Sequence, residues 1–202
     1  MAGLTNGKQG SGGQAGKAAA LARLLHEESL RLLELYREKE SLPLQPVEGD
    51  RMVSSPPFTS QLSAADKLCF LHAALTKCVH LLDRAIGRED TEFGNDKQGE
   101  YTKLRQTVKD RLRHLLQSTE RLLVEQKGSA ACSTEADVKE ETDGLFSGGT
   151  FNLKMWIHRV LQEVVHWSDT ASQTLHSLPA DRGKDQKRMS RTGRRSKRSV
   201  RK

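Results

Sequence analysis

At 202 residues, 35% hydrophobic and only 4% aromatic, the chain is long enough to bury one core and too poor in strand-favouring residues to build it from sheets. Its net charge of +7 is carried by one end: residues 182–202 hold eleven Lys or Arg against one Asp, and setting that +10 aside leaves about −3 for residues 1–181. No run of roughly 18 apolar residues is present, which excludes a membrane-spanning helix.

Residues 1–16 are Gly-rich and polar, with no apolar core of a secretion signal, and are expected to be a flexible leader. The run ending Gly16-Lys17 faintly resembles a phosphate-binding loop, but Ser11 stands where its first Gly is required, Ala18 replaces the Ser or Thr, and no strand precedes it.

A first helix is expected over about 17–40, with Leu21, Leu24, Leu25, Leu32, Leu35 and Tyr36 on one stripe. Residues 41–58 then hold four of the five prolines. A second helix, about 59–86, includes the capping-like Ser63-Ala-Ala-Asp66, repeats Leu68, Leu71, Leu75, Cys78 and Leu82, and is expected to stop at Gly87. A third, about 100–126, carries Tyr101, Leu104, Val108, Leu112, Leu115 and Leu122. The fourth, about 150–178, turns Leu153, Ile157, Val160, Leu161, Val164, Trp167, Ala171 and Leu175 inward before Pro179. No segment reads as a strand.

The connectors run long, short, long. A helix of 24 residues is about 36 Å long, and about eighteen extended residues reach roughly 60 Å, so the first and third connectors can return the chain along the whole bundle. Simple up-down neighbours need only about two to eight residues per junction. The expectation is a single all-α domain over 17–178, an up-up-down-down four-helix bundle with two long crossover loops, flanked by disordered ends at 1–16 and 179–202.

The three cysteines, Cys69, Cys78 and Cys132, do not suggest a disulfide framework, because Cys69 and Cys78 fall on opposite faces of one helix. A reducing compartment fits that pattern. The seven histidines are scattered; His72/His80 and His158/His166 are two turns apart, too far to share a zinc without an intervening ligand. Nucleophile–base motifs are missing as well, so neither a metal, a cofactor nor a catalytic activity is expected.

The fourth helix opens Phe151-Asn-Leu-Lys154-Met-Trp156, which puts an aromatic and a cation three residues apart on one edge of the first turn. Spacing alone leaves two roles open for this pair: a docking knob, or an aromatic staple folded on the core beside a solvated lysine. The basic tail, with Arg194, Arg195, Lys197 and Arg198 at its centre, suits polyanions in general, heparan sulfate, anionic lipid and RNA alike.

From Phe151 through Trp156, Val160-Leu-Gln-Glu163 and Trp167, preceded by Gly148-Gly149, the chain resembles the last helix of the ciliary neurotrophic factor family, long-chain four-helix cytokines of the leukaemia inhibitory factor group. The close match covers roughly residues 144–170; the earlier helices agree in order, length and loop pattern. The resemblance implies a cytokine with three receptor contacts: a non-signalling ciliary neurotrophic factor receptor alpha-like subunit, the shared transducing receptor subunit, and the leukaemia inhibitory factor receptor. The last would be gripped by Phe151 and Lys154 in the family's F-x-x-K pattern, with Trp156 bordering that surface. Phe58 stands in the first connector where the family uses a Trp, and Arg23, Arg31 and Arg37 are candidates for its first-helix cations. Without a signal peptide, such a protein is expected to be made in the cytoplasm and to act outside the cell after unconventional release. The competing expectation is an intracellular helical protein that binds nucleic acid or another polyanion through its tail.

Overall fold

The structure, a computed structural model, describes residues 13–42, 51–59, 61–94, 99–127 and 149–178. They form four helices, α1 (Gln14–Glu40), α2 (Ala64–Phe93), α3 (Glu100–Lys127) and α4 (Gly149–Ser177), with no strand among them. Together the helices make a four-helix bundle in which α1 and α2 each pack against both α3 and α4 and occupy opposite corners.

Each helix turns one stripe inward. On α2 it is Leu68, Leu71, Leu75, Cys78, Leu82 and Ala85, and on α4 it is the expected Leu153, Ile157, Val160, Leu161, Val164, Trp167, Ala171 and Leu175, all buried. The α1 stripe differs from the expected one: it runs through Ala18, Ala22, Leu25, Ser29, Leu32 and Tyr36, and Leu24 is 38% exposed. Small residues at this seam let α1 approach its neighbours closely, so a count of leucines alone misplaces the buried face.

The helix ends also differ in ways with physical causes. α1 begins at Gln14 behind Gly13, three residues into the expected leader, and residues 1–12 lie outside the described set. It closes with Ser41 in the left-handed region (φ 51°), so that the Leu42 amide donates to the Arg37 carbonyl at 3.0 Å. α2 starts later than expected, at the Ser63 cap, whose Oγ accepts the Asp66 amide at 3.1 Å and donates to the Asp66 carboxylate at 2.6 Å. It also runs through Gly87 to Phe93, because Glu89, Asp90 and Phe93 find partners on the other helices, and it stops at Gly94 (φ 74°), where the positive φ needs a glycine.

The cysteines require a correction. Cys69 and Cys78 do not pair, as expected, and Cys78 is a free, buried thiol whose pKa burial pushes well up. Cys69, however, is disulfide-bonded. Its geometry excludes only the neighbour on its own helix, and not a partner elsewhere.

Candidate docking site at the start of the fourth helix

Gly149 enters α4 with φ 80°, and the first turn then splits its side chains between core and solvent. Leu153 packs inward while Phe151 is 65% exposed, a large aromatic left outside the core. Lys154 lies beside it but is not a free cation. Its Nζ sits 2.6 Å from Glu40 at the end of α1 and 5.4 Å from the centre of the Phe93 ring at the end of α2, and its side chain keeps 30% exposure. Tyr36, fully buried, donates its hydroxyl to the Lys154 carbonyl at 3.1 Å. The first turn of α4 is thereby fixed to the last turns of α1 and α2.

One turn further along, His158 is buried against α1 and accepts a hydrogen bond from Arg37 Nε at 2.9 Å, while its Nδ1 is enclosed without a partner. Burial first, and the Arg37 charge second, hold its pKa down to about 4. The folded protein therefore keeps His158 neutral where an unfolded chain would bind a proton. Stability is complete above the ordinary histidine pKa and falls as the pH drops toward 4. Between pH 7 and 5 the loss should be roughly 2 kcal/mol. Urea titrations at the two pH values check this, and His158→Gln should flatten the dependence by about that amount.

Beneath this edge lies a buried charge cluster that sequence reasoning missed. Glu89, 2% exposed, receives Lys39 Nζ of α1 at 2.7 Å on one oxygen, and on the other Arg105 Nη1 at 2.7 Å and the Tyr101 hydroxyl at 2.9 Å, both of α3. Arg105 also reaches Asp90 at 2.7 Å. Lys39 and Arg105 stand 4.7 and 5.7 Å from the Tyr101 ring centre, and the Tyr36 and Tyr101 rings meet at 5.8 Å. Burial, and then the Glu89 charge, push both phenols well above their ordinary pKa. Both key residues continue inward stripes, Glu89 after Cys78, Leu82 and Ala85, and Arg105 before Val108, Leu112 and Leu115. A carboxylate and a guanidinium at core register on successive helices is the signal that reveals such a pair in advance.

Neither a known family nor a curated protein sequence matches the chain. What remains to carry a functional assignment is the motif that opens α4 and its surroundings.

Trp156, expected beside Phe151 and Lys154 on the outer surface, is instead 6% exposed and belongs to the core, with the Arg84 guanidinium 5.9 Å from its ring centre. Its position, next to Ile157 and one turn before Val160, turns it toward α2 rather than outward. Arg31 pairs with Glu34 and Glu100 and Arg37 with His158, while Arg23 is exposed. Arg194, Arg195, Lys197 and Arg198 lie outside the described residues. Among the described residues no cluster of His, Cys, Asp or Glu could hold a metal ion, and no helix is long and apolar enough to cross a membrane.

At the middle of α4 the end of the first connector is strapped down. The Met52 amide donates to buried Glu163 at 3.2 Å, Arg51 lies 3.7 Å from the same carboxylate and 2.9 Å from His166, Val53 is buried, and Phe58 meets Trp167 at 6.2 Å between ring centres. Phe58 thus packs on the second tryptophan of α4, apart from the Phe151 edge.

Proposed function

We propose that the chain is a cytokine of the ciliary neurotrophic factor type, a neurotrophic growth factor that binds a multi-subunit class I cytokine receptor and brings its transducing subunits together. The observation that carries this is Phe151: a large apolar side chain left 65% exposed at the start of an otherwise well-buried helix, three residues from Lys154, whose cation is held in place by Glu40. An exposed aromatic presented on a fixed turn suits an interface anchor, because little further ordering is needed on binding.

The reading includes an up-up-down-down topology, supported by the order of the cross-helix pairs. Along α1 and α4 they run His26 with Val165, Arg37 with His158, and Glu40 with Lys154; along α2 and α3 they run Asp83 with Lys109 and Arg113, then Glu89 with Tyr101 and Arg105. In both pairs the residue numbers move in opposite directions, and Lys39–Glu89 joins the C-terminal ends of α1 and α2. Helices α1 and α2 then run parallel to each other and antiparallel to α3 and α4. Such a return requires two long crossovers, which residues 41–63 and 128–148 have the length to make.

In this mechanism one ligand holds two transducing chains together so that their associated kinases act on each other, and the ligand itself performs no chemistry. The leukaemia inhibitory factor receptor takes the Phe151 edge, the shared transducing subunit and an alpha subunit take other faces, and the chain acts outside the cell. Its basic tail is an accessory that holds heparan sulfate.

The test is transcription-factor phosphorylation in cells carrying defined receptor sets, with the full chain and with residues 179–202 deleted. Tail deletion should leave the response intact while abolishing retention on heparin. A response in no receptor set, together with tail-dependent, salt-steep binding to RNA, would instead establish the polyanion-binding protein.

A further inference from the structure

The strap at the end of the first connector, Arg51 to Phe58, is held on α4 by a hydrogen bond that only a neutral histidine can make. An arginine can only donate, so the 2.9 Å contact between Arg51 Nη2 and His166 Nδ1 makes that ring nitrogen the acceptor and places the ring proton on Nε2. A second proton turns both ring nitrogens into donors, and the same contact then sets N–H against N–H and cation against cation. We propose that His166 is the latch of a pH-sensitive strap, closed at neutral pH and released from α4 at its Arg51–Met52 end when acid protonates the imidazole.

The neighbouring contacts carry the effect beyond one bond. Among the described residues Arg51 is the one cation beside Glu163, a carboxylate only 6% exposed that also accepts the Met52 amide at 3.2 Å. Driving Arg51 away leaves this buried charge with a single amide to hold it, a state that favours entry of water and loss of the amide bond as well. Val53 in the core and Phe58 on the Trp167 ring anchor the apolar end of the strap, but neither fixes Arg51 and Met52.

The charges around His166 leave the balance with the neutral ring. Burial is the largest influence and the Arg51 charge the next, and both lower its pKa; Glu163 and Asp169, on α4 itself, pull upward after them. Glu163 is committed to Met52 and Arg51, and Asp169 accepts from Gln173. From α2, buried Cys78 lies under the influence of the same Glu163 and Arg51. From α1, His26 is engaged by the Val165 carbonyl and by Ser168, and α3 does not touch α4. A ring kept neutral in the closed strap holds it fully above the ordinary histidine pKa, 6.5, and gives it up as the pH falls below that value. The latch is independent of what the protein binds: any surface built across the strap and the middle of α4 is intact at neutral pH and taken apart in acid.

Amide hydrogen exchange of the full chain at pH 7 and 5, read by NMR at Met52 and corrected for the intrinsic pH dependence of exchange, tests this. Protection of Met52 should fall roughly tenfold or more in acid, as for the loss of one hydrogen bond to a charged group. His166→Gln, neutral at both values and still able to accept from Arg51, should keep Met52 protected at both. His166→Lys, charged at both, should show the open strap already at pH 7. His158→Gln should open in acid as the parent does, which separates the latch from the stability lost with His158. Equal protection of Met52 in the parent at the two pH values, as when protonated His166 merely takes the place of Arg51 beside Glu163, would overturn the proposal. So would an acid loss that persists in His166→Gln or disappears in His158→Gln.

Discussion

Glu89→Ala should lower unfolding free energy by about 3–5 kcal/mol, the range for removing one partner of a buried ion pair. The carboxylate is the meeting point of Lys39, Tyr101 and Arg105, that is, of α1 and α3 with α2. Without it the Tyr101 hydroxyl loses its acceptor, and Arg105, almost wholly buried, keeps Asp90 alone. In a domain of this size the loss corresponds to a fall of roughly 10 °C in melting temperature. Calorimetry of the variant beside Asp83→Ala separates this cluster from an ordinary surface pair. Asp83 also holds two cations, Lys109 and Arg113, which outweigh the upward push of burial on its pKa, but it lies nearer the surface and should cost much less. Equal losses for the two variants would mean that the buried cluster is no more than another salt bridge.

How far the sequence reveals this molecule varies from helix to helix. α4 is the most legible because every position of its expected stripe, from Leu153 to Leu175, is buried, although Trp156, His158, Glu163, Ser168 and Thr174 are buried beside it. α1 is less so, since its seam uses Ala18, Ala22 and Ser29, residues that hydrophobic counting passes over, while Leu24 and Leu30 point outward. Gly87 reads as a stop because glycine favours helix ends. The pull of Glu89, Asp90 and Phe93 toward neighbouring helices carries α2 past it, and no local pattern encodes that.

The candidate site divides in the same way. Spacing alone leaves Phe151 open between a docking knob and a core staple, and its 65% exposure puts it outside the core. That Lys154 is already committed to Glu40 depends on how α1 ends against α4, a tertiary fact. Helical phase alone misplaces Trp156, because a residue beside the stripe, when it is this large, finds burial against the adjacent helix, here under Arg84.

The second large effect concerns Phe151 itself. Because Phe151 is mostly exposed, Phe151→Ala removes little buried surface and should leave the melting temperature within about 2 °C of the parent. An interface anchor truncated in this way costs about 2 kcal/mol or more, roughly 30-fold or more in affinity. Lys154→Ala is a less clean probe: it also strips the buried Glu40 carboxylate of its closer cation, leaving Lys39 at 3.6 Å, so some loss of stability should accompany any loss of binding.

Binding of the full chain and of Phe151→Ala to the purified leukaemia inhibitory factor receptor ectodomain, with thermal unfolding of the same samples, tests the central claim most directly. A parent that binds and a variant weakened at least about 30-fold, with matching melting curves, is the expected result. A parent that does not bind, or a variant that binds as well as the parent, would contradict it.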